Sequence, residues 1–275
     1  MTRRELLPLL LAGRSVGAGP KVRMGVMDTS LRRAGKPEAV ELAATLGFEG
    51  IQISIGRDAR EGRLPLADTG LQDHYVEAAR RHRIALASTY LDILHVNCLK
   101  NDPLGAKWVA EGIEITRRLK ARILMIVFFG KCALQTAADM DAVVAPLREL
   151  ASAARKAGLI LGFENTIPAE DNLRVLEKVA SPALQVYYDI GNATNMGGFD
   201  VPAEIRRLGK KRLCQFHFKD KGYLGEGKVD VAAAVKALRE IGYEGFVVLE
   251  TGAPSGNVEA DLRRNQEYTR RALGS

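Results

Sequence analysis

Short apolar runs recur along the chain, and a segment with helical periodicity follows each of them. We predict eight strands, at residues 22–27, 50–55, 84–90, 122–129, 159–166, 184–188, 213–218 and 246–249. The segments after them are typical of helices, because Asp, Thr or Pro often stands at the start and Gly often follows the end. Some runs, such as 122–129, are apolar at nearly every position, which is typical of parallel strands covered on both faces.

The alternation of strands and helices restricts the fold to two α/β architectures, a doubly wound open sheet and a closed (β/α)8 barrel, the TIM barrel. A dinucleotide-binding sheet would carry a GxGxxG motif after its first strand, and this chain has none there. Eight consecutive units favour the barrel. Since no linker-like or low-complexity stretch interrupts them, we predict a single barrel domain at residues 22–275 and an N-terminal segment at 1–21.

The N-terminal segment has two interpretations. Arg3 and Arg4 precede a short apolar stretch, and this pattern resembles a twin-arginine export signal. Arg14 interrupts the stretch, which favours an extra amphipathic helix packed on the barrel. We therefore expect a cytoplasmic protein, with periplasmic export as the alternative. No stretch approaches the roughly 18 consecutive apolar residues of a membrane span, so no membrane partner is expected.

The charge and the cysteine content limit the partners and metal sites that the chain can be expected to have. The net charge is +7, but the arginines fall mostly on helix-like stretches, and no basic stretch is interleaved with aromatic residues. We therefore expect no nucleic-acid partner. The three cysteines, Cys98, Cys132 and Cys214, are odd in number and scattered, so the sequence predicts neither a disulfide framework nor a CxxC metal site.

Polar side chains stand at the ends of the last four predicted strands. Glu164 ends the fifth, Asp189 follows the sixth, His217 lies near the end of the seventh, and Glu250 follows the eighth. Their spacing is about one strand–helix unit each, so they occupy equivalent positions at the end of the barrel where active sites lie. Three carboxylates and one imidazole suit one divalent metal ion, namely Mn²⁺, Mg²⁺, Co²⁺ or Zn²⁺. A cation between them would also let the three carboxylates stay ionised.

The second half of the chain resembles the xylose isomerase-like TIM barrel superfamily of sugar-phosphate isomerases and epimerases. The resemblance lies in GFEN at 162–165, DIGN at 189–192, HFKD at 217–220, GEGKVD at 225–230 and GYEG at 242–245, followed by Leu249-Glu250. It implies that Glu164, Asp189, His217 and Glu250 bind one divalent metal, manganese among the candidates. It also implies that Glu164 and Glu250 act as acid and base on a sugar or sugar phosphate, through a metal-stabilised enediolate.

Four further residues are candidates for substrate binding. Asn192 stands where several ketose epimerases of the superfamily carry a histidine, and it can bind a hydroxyl but cannot transfer a proton. Lys219 shares a strand face with His217 and points toward substrate oxygens or a neighbouring acid. His95 lies beyond the third strand, and Glu226 lies in the loop before the seventh helix.

Several functions remain open at this point. The first is an isomerase or epimerase of a small carbohydrate. The second is a metal-dependent dehydratase of a keto-cyclitol or dehydroshikimate-like ketone, which would share the enolate step and expel a hydroxyl. A metal-dependent phosphodiesterase or nuclease is disfavoured. The nucleases of this superfamily need many histidines as metal ligands, and this chain has only four histidines. A binding protein without turnover is disfavoured by the presence of both glutamates, and association into a homo-oligomer stays open.

Overall fold

The computed structural model describes residues 22–274, which form a closed barrel of eight parallel strands in chain order. The strands are β1 (Arg23–Met27), β2 (Gly50–Ser54), β3 (Ala85–Leu91), β4 (Ile123–Val127), β5 (Ile160–Glu164), β6 (Leu184–Asp189), β7 (Leu213–Phe218) and β8 (Phe246–Leu249). A helix follows each: α1 (Glu38–Thr45), α2 (Thr69–His82), α3 (Pro103–Arg118), α4 (Ala137–Lys156), α5 (Ala169–Val179), α6 (Val201–Leu208), α7 (Val231–Glu240) and α8 (Val258–Leu273). The predicted single-domain TIM barrel is confirmed, and the segment at 1–21 lies outside the described residues.

The barrel closes because β1 pairs with β8 as well as with β2. Both faces of its strands are covered, as the apolar runs predicted, and β2 and β4 are buried at every position. On β2 the two faces differ in chemistry: Ile51 and Ile53 are buried apolar residues, whereas Gln52 reaches across the barrel to His217 on β7. The interior of the barrel is therefore partly polar at the level just below the site.

Local signals in the sequence set most helix boundaries. Asp102 caps α3 by accepting a hydrogen bond from the Leu104 N–H, and Thr136 and Asp139 form a capping box at the start of α4. The sequence Lys36-Pro37-Glu38 predicts Pro37 as the first residue of α1, but in the structure it stands one position earlier, as the N-cap. Across residues 22–274 no helix is both long and apolar enough to cross a membrane.

A disulfide between Cys98 and Cys132 contradicts the prediction from cysteine spacing. The two residues are 34 apart in sequence, both are buried, and their Cα atoms lie 4.9 Å apart. Cys98 lies in the loop between β3 and α3, and Cys132 lies just after β4. Sequence spacing could not reveal the pair, because only the folding of two neighbouring loops at the mouth of the barrel brings the sulfurs together. Cys214 stays a free thiol.

We expect the disulfide to stabilise the barrel measurably. Closing a loop of this length removes chain entropy from the unfolded state, worth about 4 kcal/mol. The double substitution Cys98→Ala/Cys132→Ala should lower the free energy of unfolding by about that amount in a urea titration. Cys214→Ala is the matched control and should change it much less. Equal stability of the wild type with and without a reductant would contradict the expectation.

Candidate active site

Four side chains from consecutive strands meet at the carboxyl end of the barrel. Glu164 is the last residue of β5, Asp189 is the last residue of β6, His217 lies on β7, and Glu250 directly follows β8. One ligand atom from each lies within 4.8 Å of the others. Nδ1 of His217 is 3.0 Å from Oε1 of Glu164, 3.0 Å from Oε2 of Glu250 and 3.8 Å from Oδ2 of Asp189. The predicted constellation is thus brought together around one point.

Lys219 adds a fifth charge to this cluster. Its Nζ donates a hydrogen bond to Oε2 of Glu250 at 2.8 Å. The same atom lies 2.8 Å from Oδ2 of Asp189, so the Lys219 ammonium forms ion pairs with both carboxylates. Gly191 permits the approach, because a Cβ there would lie 2.5 Å from both Cγ and the carbonyl oxygen of Lys219. The Gly of the DIGN motif is therefore required by packing.

Burial and mutual charge move the pKa values of Asp189, His217 and Glu250 away from their ordinary values. Burial raises the pKa of Asp189 to about 7, and the charges of Glu250 and Glu164 add to the effect of burial while Lys219 opposes it. Burial alone would lower the pKa of His217, but the carboxylates of Glu250 and Glu164 raise it to about 10. Burial alone would raise the pKa of Glu250, but His217 and Lys219 hold it well below its usual value. The three carboxylates of the cluster therefore carry more negative charge than His217 and Lys219 can neutralise.

These residues fit a divalent cation. Ligands on opposite sides of one ion stand about 4 to 5 Å apart, and the four donor atoms already satisfy that limit. Oδ2 of Asp189 is buried and lies 3.8 Å from Nδ1 of His217, so both atoms can reach one ion. With a neutral His217, three carboxylates are balanced in full by the Lys219 ammonium and one doubly charged ion. Oxygen donors with one imidazole nitrogen are a set suited to Mn²⁺, Mg²⁺, Co²⁺ or Zn²⁺.

A cavity of about 460 Å³ opens above the cluster, which is the size range of small-molecule sites. Its lining includes three of the predicted substrate-binding residues, His95, Asn192 and Lys219, beside Glu164 and Glu250. Glu226 does not line it and instead pairs with Arg264 on α8. The loop that carries Glu226 is held against α8, because Asn265 accepts the Leu224 N–H and Asp261 accepts the Tyr223 O–H.

His95 is joined in the cavity by a carboxylate that we did not predict. Nδ1 of His95 lies 3.0 Å from Oδ1 of Asp92, and this interaction raises the pKa of the imidazole. The ring of His95 stacks on Phe129 with centroids 6.1 Å apart. Asp92 directly follows β3, so a search of all eight strand ends, and not only the last four, would have found it. The pair adds polar groups to a cavity lining that also includes the apolar side chains of Met125 and Val127.

A second cavity of about 610 Å³ adjoins the first and shares Thr29, Tyr90 and Asp92 with it. Three arginines and three aspartates line it, namely Arg57, Arg60, Arg63, Asp58, Asp68 and Asp92. The two cavities together offer more room than a monosaccharide needs. The wall between them is fixed by Asp28, which directly follows β1 and accepts the Tyr90 O–H at 3.1 Å.

Asp28 should make the stability of the barrel depend on pH. Burial raises its pKa from 3.8 to about 6, despite hydrogen bonds from Ser54, Gly35 and Tyr90. The folded state therefore holds a proton that the unfolded state has lost, so stability falls as pH rises from about 4 to 6 and stays lower above that, by about 3 kcal/mol. Asp28→Asn keeps an acceptor and removes the charge.

The difference in free energy of unfolding between Asp28→Asn and wild type, measured by urea titration, should be near zero at pH 4. At pH 7 the variant should be more stable by up to about 3 kcal/mol. A difference that does not change across this range would mean that Asp28 has the same pKa in both states.

The chain resembles known proteins in both sequence and structure. A family model described as xylose isomerase-like TIM barrel matches residues 40–272. A 2-epi-5-epi-valiolone 7-phosphate 2-epimerase from an Actinoplanes species is 28% identical over 263 residues, which cover 91% of this chain and 94% of that protein. The chain also resembles the structure of a D-psicose 3-epimerase with D-tagatose from Clostridium cellulolyticum H10, with a TM-score of 0.77, 16% identity, and coverage of 92% of this chain and 99% of that one.

A second solved structure has the same fold. The apo form of 3-keto-D-glucoside 4-epimerase from E. coli superposes with a TM-score of 0.74 and 17% identity, covering 91% of this chain and 100% of that one. Both structural relatives are below 25% identity, so they establish the shared fold only.

Proposed function

This chain belongs to the xylose isomerase-like TIM barrel family, and we propose that it is a divalent-metal-dependent epimerase of a keto-sugar or a related cyclitol ketone. One observation carries the proposal: two glutamates, Glu164 and Glu250, flank a single buried histidine at 3.0 Å each and line a cavity of monosaccharide size. The relative with 28% identity is named as an epimerase of a cyclitol phosphate, which supports the same class of reaction.

Glu164, Asp189, His217 and Glu250 would hold the metal ion. A bound divalent cation would polarise a substrate carbonyl and so acidify the hydrogen on the neighbouring carbon. The chain's own residues must then move the proton, orient the sugar and keep water out.

The two glutamates supply the proton transfers. They come from β5 and β8, on either side of His217 on β7 and Asp189 on β6, so they approach a bound substrate from two directions. One carboxylate takes the proton from the carbon beside the carbonyl, which leaves a planar enediolate, and the other glutamate returns a proton to the opposite face. The configuration at that carbon inverts, and no atom is gained or lost. His217 and Lys219 hold the pKa of Glu250 well below its usual value, so its side chain is a carboxylate at neutral pH.

The remaining polar residues of the cavity orient the substrate. The charged Nζ of Lys219 lies beside Glu250 and can also donate to a substrate oxygen. The Asn192 N–H donates to Oδ1 of Asp189, which fixes this loop and leaves its side-chain amide in the cavity lining. Asp92 holds the ring of His95 on the other side. Hydroxyl groups around a sugar ring would find donors and acceptors on both sides of the reacting carbon.

The test is an assay of product configuration. Protein incubated with Mn²⁺ is given a panel of ketohexoses, 3-keto-glucosides and keto-cyclitols, each with and without a phosphate, and the products are identified by NMR. We expect at least one ketone to convert to its epimer at a carbon next to the carbonyl. An unsaturated product formed with loss of water would instead identify a dehydratase, and the epimerase proposal would then be wrong.

We also propose that the protein is exported from the cytoplasm. The Cys98–Cys132 disulfide is of the kind that persists in oxidising compartments, and this supports the export interpretation of the Arg3-Arg4 motif over a cytoplasmic location. Expression with the natural N-terminus, followed by fractionation of the host, is the measurement. Recovery of the protein only from the reduced cytoplasmic fraction, with free thiols at both cysteines, would contradict export.

A further inference from the structure

The histidine of the candidate metal centre has a partner on the far side of the barrel. Gln52 lies on β2, is fully buried, and places its Oε1 atom 2.7 Å from Nε2 of His217. The two residues are 165 apart in sequence, and their strands are not neighbours. Among the contacts of His217, Gln52 is bonded to Nε2, whereas the carboxylates of Glu164 and Glu250 approach Nδ1.

Met125 defines which end of the Gln52 amide faces the histidine. Nε2 of Gln52 lies 3.5 Å from Sδ of Met125 on β4. A thioether sulfur accepts weakly and cannot donate, so it is compatible with the amide N–H₂ group and offers nothing to the amide oxygen. The oxygen of Gln52 is therefore left to accept from His217. It follows that Nε2 of His217 carries a hydrogen and that Nδ1 is the nitrogen directed at the carboxylates.

The ring of His217 is also held in its plane. Tyr187 packs against it edge-on, with ring centroids 4.5 Å apart and an interplanar angle of 60°. Packing of this kind fixes the plane of the ring but does not distinguish its nitrogens from its carbons. The bond to Gln52 does so at Nε2, because rotating the ring by half a turn would replace that bond with a C–H, and it therefore reinforces the orientation that Glu164 and Glu250 favour at Nδ1.

We propose that Gln52, oriented by Met125, is a positioning residue of the candidate metal centre that keeps Nδ1 of His217 available as the metal ligand. The inference rests on the proposed function, since it assigns a role toward the cation that Glu164, Asp189, His217 and Glu250 would hold. Metal-bound histidines generally donate their second N–H to an oxygen acceptor, and loss of that acceptor weakens metal binding about 10- to 100-fold. Here a neutral amide is the acceptor.

The experiment compares metal affinity across four proteins by calorimetric titration with Mn²⁺, without substrate. Gln52→Met has nearly the same volume and no acceptor, and its dissociation constant should rise about 10- to 100-fold. Gln52→Glu restores an oxygen acceptor and should stay within a few-fold of wild type. Gln215→Met is the matched control, since Gln215 is equally buried in the barrel and its Oε1 has no hydrogen-bond partner among the described residues. It should also stay within a few-fold.

The outcomes separate the possible failures. If wild type binds no divalent cation, the proposed function fails first. If wild type binds and Gln52→Met binds equally well, or if Gln215→Met weakens binding as much, the positioning role is overturned. A thermal melt checks that each variant folds; should Gln52→Met not fold, Met125→Leu keeps Gln52 and removes the sulfur that orients it. Met125→Leu is expected to raise the dissociation constant severalfold, and an unchanged value would overturn the role assigned to both residues.

Discussion

Glu250→Gln is expected to lower kcat by at least about 10³-fold while leaving the barrel folded. The amide cannot accept a proton from the substrate carbon, and it also removes one charge from the ligand set of the cation. Glu164→Gln should have an effect of similar size, and the double variant should lose little more, because the two residues act in one reaction and their effects do not add. The measurement is steady-state turnover of whichever ketone the enzyme accepts, followed by NMR.

The control for these variants is the same substitution at Glu244. This exposed residue lies in the loop before β8, at the end of the barrel opposite the site, and it forms an ion pair with Lys210. Glu244→Gln should keep the kcat of the wild type. Turnover by Glu250→Gln at the wild-type rate would exclude the two-glutamate mechanism. A loss of folding in the same variant would be detected by its thermal melt, and Glu164→Gln would then carry the test.

Removal of divalent metal is expected to have the second largest effect. Dialysis against a chelator should lower kcat by at least about 10³-fold, because without the cation neither the carbonyl nor the neighbouring C–H is activated. Activity should return on addition of one of Mn²⁺, Mg²⁺, Co²⁺ or Zn²⁺. A cation at about 100 times its dissociation constant should also raise the free energy of unfolding by about 2.7 kcal/mol.

The variant Asp189→Asn tests whether the stabilisation comes from a divalent cation bound at the cluster or from a general effect of salt. The substitution keeps the shape of the side chain and removes the negative charge that Oδ2 places 3.8 Å from Nδ1 of His217 and 2.8 Å from Nζ of Lys219. The variant should lose most of the cation-induced stabilisation seen in a thermal melt. Full activity of the chelated wild type, verified metal-free by elemental analysis, would contradict the assigned metal dependence.

The barrel and the cluster were both predictable because the signals for them are local. Each strand is an apolar run followed by the capping residues of a helix. Glu164, Asp189, His217 and Glu250 stand at equivalent places in successive strand–helix units. Parallel strands then bring equivalent positions to one end of the barrel. Strand alternation also predicts that Asn165 turns away from the face that Glu164 uses, and in the structure the amide of Asn165 donates to Asn172 on α5.

The features that could not be predicted depend on contacts between distant loops and strands. The disulfide joins the loops that follow two neighbouring strands, β3 and β4, and nothing in the spacing of Cys98 and Cys132 encodes it. Gln52 was visible as a polar residue in an apolar strand, but its partner lies across the barrel. Glu226 was placed near the substrate from its position after β7, whereas its ion pair with Arg264 holds it outside the cavity.

The most direct test of the central claim is the fate of the hydrogen on the carbon that inverts. Mn²⁺-loaded enzyme is incubated in D₂O with an accepted ketone, and the product is isolated at low conversion and examined by NMR and mass spectrometry. Proton transfer through two glutamates predicts one solvent deuterium at the inverted carbon of each product molecule, and loss of this incorporation in Glu250→Gln. An inverted product that retains its original hydrogen would contradict the mechanism.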